Sequence, residues 1–270
     1  MNQLKAIILD VDGTLANTEE IHRQSFNAAF DEFGLGRNWS EQEYADLLLI
    51  SGGRERIYTW LKSQDAALKG DLDLREFSLR IHERKSEIYR EKLVAGHIGL
   101  RSGVARLLNE AGQEGIRLGI ATCTSRQNVE TLLNNALGAG AIDRFGTVVT
   151  CDIVTDKKPS PVVYQYALAE LGLIPAECLA IEDTTNGNRA ALATGLKTVI
   201  TTHAFTVNED FSGASLVLDQ LGEPGQPFSI LAGDAFGYSY VDMALLRRIH
   251  GSYEFEKPAG WSDNAVVMAK

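Results

Sequence analysis

Leu4-Lys5-Ala6-Ile7-Ile8-Leu9-Asp10-Val11-Asp12-Gly13-Thr14 is the stretch on which the fold turns. A short apolar run ends abruptly in two carboxylates and a glycine. Continuous apolar runs of this length suit strands covered on both faces, as in a parallel sheet between helices. The pattern returns twice. Ile116-Arg117-Leu118-Gly119-Ile120-Ala121 runs into Thr122-Cys123-Thr124-Ser125, and Cys178-Leu179-Ala180-Ile181 runs into Glu182-Asp183. Helical stretches at residues 128–137, 161–171 and 186–194 separate the later runs. Ligands of open α/β sheets bind beyond the carboxyl ends of the strands, where each polar cluster falls. The expected class is therefore α/β, a Rossmann-like parallel sheet.

The first two runs are too far apart for a simple crossover. Roughly 100 residues lie between Gly13 and Gly115, whereas a whole βαβ unit takes about 30. Residues 20–33, 41–49, 54–62 and 74–92 all carry apolar side chains at three- and four-residue spacing, the mark of amphipathic helices. This predicts an inserted α-helical cap domain at 17–96, with 1–16 and 97–205 forming the core. Residues 206–270 are expected to be a C-terminal extension partly packed on that core. In it, 215–221 reads as a strand, 222–227 as a loop from its Gly and Pro content, and 241–250 as a short helix.

With 270 residues, 44% of them apolar, the chain can bury a sizeable core. Its formal charge of −10 argues against a nucleic-acid or anionic-membrane surface. An acidic protein still binds phosphate where local cations, amides or a metal invert the field. Cys123, Cys151 and Cys178 form no CxxC pair, which suits a reducing compartment and weighs against a disulfide scaffold. The apolar stretch before Asp10 is too short for a signal peptide, and no later run approaches the roughly 20 residues of a membrane span. A cytoplasmic protein with no obligate protein partner is expected.

Asp10 and Asp12 stand two apart at a strand end, so an extended backbone sends both to one side. Carboxylates so close repel unless a cation intervenes, and Mg²⁺ prefers such oxygen ligands. One can attack a phosphoryl group. The other can protonate the leaving oxygen and then take a proton from water. Alone, Asp-x-Asp is more often a solvated turn. Three further clusters change that reading. Thr122 offers a hydroxyl beside amides at a helix start, Lys158 before Pro159 offers a fixed ammonium, and Glu182-Asp183 adds carboxylates.

In this order, Asp10-Val11-Asp12-Gly13-Thr14, Thr122, Lys158-Pro159 and Glu182-Asp183 resemble the four motifs of haloacid-dehalogenase-like phosphohydrolases. The resemblance covers residues 1–205. Thr18-Glu19-Glu20-Ile21-His22, Gly52-Gly53-Arg54-Glu55-Arg56 and Lys157-Lys158-Pro159-Ser160-Pro161 look most like the CbbY group, with beta-phosphoglucomutases as near relatives. The resemblance implies that Asp10 is the nucleophile and a Mg²⁺ ligand. Asp12 would be the acid/base, its backbone carbonyl on the metal. Thr122 and Lys158 would hold the phosphoryl group, and Asp183 would complete the metal site with Glu182 beside it. The implied substrate is a small phosphorylated sugar, xylulose-1,5-bisphosphate, a by-product of carbon fixation.

Specificity would then reside in the cap. Glu19 and His22 share a helix face, Tyr44 adds a hydroxyl, and Arg54 with Arg56 would take a distal phosphate. The Cys123 amide lies within reach of phosphate. Leu9, Asn17 and Val162 depart from the family's usual Phe, acidic residue and Asp. A mutase returning the phosphoryl group to sugar is the near alternative, and a phospho-accepting signalling switch the alternative of another class. The inserted helices and the nucleophile's place on the first strand weigh against the switch.

Overall fold

The computed structural model describes residues 3–64, 73–96 and 98–251. Its strands are β1 (Ala6–Leu9), β2 (Arg117–Ala121), β3 (Thr147–Val149), β4 (Cys178–Glu182), β5 (Lys197–Thr201), β6 (Leu216–Leu218) and β7 (Ile230–Gly233). They form one sheet in the order β3-β2-β1-β4-β5-β6-β7. All pairs are parallel except β6 with β7. From β1 the chain moves out to β2 and β3, then returns to β4 on β1's other side. That reversal opens a crevice at the carboxyl ends of β1 and β4, where ligands bind in such sheets.

The apolar run that opens the sequence is buried on both faces, as its composition requires. Ile7 and Leu9 join one hydrophobic cluster, and Ala6 and Ile8 join the other. The first cluster is covered by α5 (Val104–Gln113), α6 (Arg126–Leu137) and α9 (Met243–Gly251), through Leu107, Leu132 and Leu245 among others. The second is covered by α7 (Val162–Leu171) and α8 (Thr185–Ala193). Each fully buried Leu or Ile contributes about 2 kcal/mol relative to exposure, so a one-residue register slip of β1 would forfeit several at once.

Between β1 and β2 lie α1 (Glu19–Glu32), α2 (Glu41–Leu48), α3 (Gly53–Ser63) and α4 (Leu74–Ala95). Together they bury a separate aromatic core built on Phe26, Phe30, Trp39, Tyr44 and Trp60. Phe30 stacks on Trp60 at 4.9 Å and Phe26 meets Trp39 at 4.7 Å; such pairs add about 1 kcal/mol each beyond their burial. Ser40 caps α2 and Asp73 caps α4. α4 belongs to both bodies: Ile81 and Ile88 lie in the aromatic core, Tyr89 and Leu93 in the sheet's core.

Beyond residue 205 the chain continues into the same sheet and core. β6 is a parallel strand of the same sheet, and α9 buries Leu245, Leu246 and Ile249 in the core. β7 is exposed along its length, Ile230 and Leu231 about half so. It exists through pairing with β6, so no burial pattern announces it in the sequence. The remainder of the expected extension, 252–270, lies outside the described residues, as do 65–72 of the expected cap and residue 97 of its second connection.

Candidate active site

Strand pairing reaches the first carboxylate itself, because the Asp10 amide donates to the Ile181 carbonyl at 3.0 Å. Glu182 ends β4 and Asp183 follows it. Ligand oxygens of Asp10, Glu182 and Asp183 all lie within 4.8 Å of one another, and all three residues are buried. Lys158, only 4% exposed, donates to Asp10 Oδ1 at 2.6 Å and also to Glu182 Oε1. Tyr164 donates its hydroxyl to Glu182 Oε1 at 2.6 Å. The Lys158–Pro159 peptide is cis.

Three buried carboxylates thus face one ammonium. Burial pushes the Asp10 carboxyl well above its usual range; Lys158 opposes this, and Glu182 and Asp183 reinforce it. The surplus negative charge and hard oxygen donors fit a divalent Mg²⁺ ion. Thr14 donates to Asp183 Oδ1 at 2.9 Å and His203 Nε2 lies 3.0 Å from Oδ2, so the carboxylate is gripped from both sides. Gly13 makes this approach possible. It turns at φ 85°, and a Cβ there would stand 2.1 Å from Asp183 Oδ2.

Asp12 lines the same cavity as Asp10, but its carboxylate faces the helices rather than the acid cluster. Its Oδ1 accepts from Thr18 at 2.7 Å and Tyr89 at 3.1 Å, and His22 Nε2 stands 3.0 Å away. Burial pulls its pKa upward, but the charge and hydrogen bond of His22, with Thr18, outweigh this and hold it below the usual carboxylate range. Behind His22, Lys85 Nζ lies 2.6 Å from Nδ1, and Tyr89 stacks on the ring at 3.9 Å. The ring therefore bridges Lys85 on one side and the Asp12 carboxylate on the other.

Thr122 extends β2, its amide donating to the Val149 carbonyl at 3.0 Å. The next residues lead into α6, capped by Ser125, so Thr122 and Cys123 reach the cavity beside a helix N-terminus that favours anions. Burial raises the Cys123 thiol, with Lys158 opposing.

A cavity of about 190 Å³ joins these groups to the helices. Asp10, Asp12, Thr122, Cys123 and Lys158 line one side, and Glu19, His22, Tyr44 and Arg56 the other. Tyr44 donates to Glu19 Oε2 at 2.6 Å. Arg56 is engaged within the helices, donating to the Leu47 and Ile50 carbonyls and to Tyr44 Oη. Arg54 is not brought into the site: its side chain is half-exposed and bonds Glu55 at 3.3 Å.

Sequence reading passed over Lys85, Tyr89, Arg101 and His203. Lys85 and Tyr89 are four apart on α4, yet lie in a charge-rich helix where neither stands out. Arg101 is 9% exposed and donates to four carbonyls. These are Gly13, Thr201 at 2.9 Å, Thr202 at 2.6 Å and Asp219 at 2.7 Å. It ties the loop after β1 to the ends of β5 and β6, a role no local pattern reveals.

The haloacid dehalogenase-like hydrolase family model matches residues 7–201. Protein CbbY of Cupriavidus necator is 42% identical over 247 residues, covering 92% of this chain and 97% of that protein. The crystal structure of CbbY from Rhodobacter sphaeroides in complex with phosphate aligns with a TM-score of 0.76 at 41% identity, over 83% of this chain and 97% of that one. A mutant of the same protein in complex with xylulose-(1,5)bisphosphate aligns with a TM-score of 0.76 at 40% identity, over the same shares. Among the described residues no helix is long and apolar enough to cross a membrane. The chain belongs to the haloacid dehalogenase-like hydrolases, as a phosphatase similar to the CbbY proteins.

Proposed function

We propose that the substrate is xylulose-1,5-bisphosphate, hydrolysed to xylulose 5-phosphate and phosphate through an aspartyl-phosphate on Asp10. The observation that carries this reading is the placement of Asp10 and Asp12 on one cavity in different surroundings. Asp10 stands against Lys158 and the acid cluster, and Asp12 against His22. Asp10 attacks phosphorus; Asp12, held ionised by His22 and Thr18 before substrate arrives, takes up a proton with the substrate and passes it to the leaving sugar oxygen. Asp12 then takes a proton from the water that opens the acyl phosphate. The Thr122 hydroxyl, the Cys123 amide and the Lys158 ammonium hold the transferring oxygens. When bound among Asp10, the Asp12 carbonyl, Glu182 and Asp183, Mg²⁺ supplies charge neutralisation for nucleophile and phosphoryl group.

Glu19, His22 and Tyr44 would meet the sugar, and the distal phosphate falls to Arg56 with Lys85 rather than to Arg54. The bisphosphate held by the Rhodobacter relative supports this substrate. The helices would act as a cap opening on the segments near Asn17 and Gly96. A cytoplasmic location and service to carbon fixation go with this reading. A mutase shares the same core chemistry but returns the phosphoryl group to sugar. Acid quenching during turnover tests both points: the reading expects a phosphoryl group mapped to Asp10, absent in Asp10→Asn, with free phosphate as product. An isomeric sugar phosphate without net phosphate release would favour the mutase.

A further inference from the structure

Among the described residues of the aromatic cluster, Phe205 is the one that comes from outside the stretch 19–95. Its ring meets Tyr44 edge-on, 5.5 Å between centroids at 88°. Two residues earlier stands His203, whose Nε2 lies 3.0 Å from Asp183 Oδ2. The Phe205 amide donates to His203 Nδ1 at 3.3 Å, so Nδ1 is an acceptor and Nε2 carries the proton given to Asp183. The turn closes on itself, with the His203 amide on Thr206 Oγ1 at 3.2 Å and the Thr206 amide on the His203 carbonyl at 3.0 Å. From Tyr44 the contacts continue to Glu19 in the cavity, at 2.6 Å. An unbroken set of direct contacts therefore runs from a carboxylate of the acid cluster to the far wall of the cavity.

We propose that the turn at residues 203–206 couples the metal centre to the helices: His203 positions Asp183 for the ion, and Phe205 seats Tyr44. This rests on the reading that Asp10, Glu182 and Asp183 hold Mg²⁺. Partners behind a ligating carboxylate fix its orientation. A rigid turn carries any change in that orientation to the ring packed on the helices, where both sites bias one contact. By linkage, Mg²⁺ binding tightens the seating of Tyr44, and loss of that seating weakens the response of the helices to the ion. His203 and Phe205 are positioning residues; neither needs to touch the reacting atoms.

The chain has three tryptophans, and Trp39 and Trp60 both lie in the aromatic core, so a Trp261→Phe background reports on the helices alone. In that protein, Mg²⁺ should shift the emission with the midpoint that calorimetry gives for binding. Phe205→Ala should lose most of the emission shift and, by the same linkage, bind Mg²⁺ measurably by calorimetry but more weakly, by the coupling factor alone. His203→Ala should bind Mg²⁺ about tenfold more weakly, and His203→Gln, which keeps a donor near the Nε2 position, should recover most of that affinity. Binding without an emission shift in the parent, or a full shift in Phe205→Ala, overturns the coupling. Unchanged affinity in His203→Ala overturns the positioning role. Absence of Mg²⁺ binding in the parent would remove the metal reading itself, and the proposal with it.

Discussion

His22 Nδ1 stands 2.6 Å from Lys85 Nζ, in a contact buried between α1 and α4, while Nε2 of the same ring stands 3.0 Å from Asp12 Oδ1. One imidazole thus links a lysine of the fourth helix to the carboxylate assigned to proton transfer. Lys85 also lies over the rings of Phe26 at 4.4 Å and Tyr89 at 5.1 Å. It is a cation held in a largely aromatic wall.

Burial pushes Lys85 down to about 7, with Asp12 opposing and Arg56 reinforcing. An unfolded lysine titrates near about 10.4. Below the folded value both states are protonated and the cost of burying the charge is complete. Between the two values the folded state binds fewer protons than the unfolded one, so stability rises with pH. Lys85→Met lacks this gain. In urea titrations from pH 7 to pH 9, the wild type should gain on the variant by at most about 1.4 kcal/mol per pH unit. A difference independent of pH would contradict the placement of Lys85.

Asp12→Asn should lower kcat by about 100-fold or more, while Mg²⁺ affinity by calorimetry stays close to wild type. The reason is geometric: the Asp12 side chain faces Thr18, His22 and Tyr89, outside the acid cluster. Loss of metal affinity in this variant would show that the carboxylate itself ligates.

Arg101→Leu removes the donor shared by the Gly13, Thr201, Thr202 and Asp219 carbonyls. Leaving buried acceptors unpaired should destabilise the fold by about 3 kcal/mol or more, read as a lower urea midpoint. A shift within about 0.5 kcal/mol, as at ordinary surface positions, would show that water replaces the guanidinium.

Gly13→Ala places a methyl group against Asp183 Oδ2 in a left-handed turn. The backbone alone costs about 1–2 kcal/mol, and displacing Asp183 should weaken Mg²⁺ binding in the same protein. Unchanged Mg²⁺ affinity would mean that Asp183 is not held where the turn now places it.

Much of this was legible in the sequence for a definite reason. The three apolar runs are central strands buried on both faces, and burial leaves a pattern in composition. Local amphipathic spacing likewise marked α1, α2, α3 and α4. β7 left no such mark, because its four residues are exposed and only pairing defines them. In the site, Asp10, Thr122, Lys158 and Asp183 fall at strand ends or in the loop between β3 and α7, where polar residues after apolar runs stand out. Arg101 and His203 act on carbonyls and carboxylates far away in sequence, which no local window shows. Arg54 and Arg56 were indistinguishable as letters two apart on a helix. Only packing separates the buried one from the half-exposed one.

The most direct test is magnesium-dependent phosphate release from xylulose-1,5-bisphosphate, set beside ribulose-1,5-bisphosphate, beta-glucose-1-phosphate and phosphoglycolate, with Asp10→Asn as the blank. The account predicts a strong preference for the xylulose bisphosphate that disappears in the blank and without Mg²⁺. Weak release spread evenly over all four substrates would contradict the substrate assigned to the cavity, and release that survives Asp10→Asn would contradict the nucleophile.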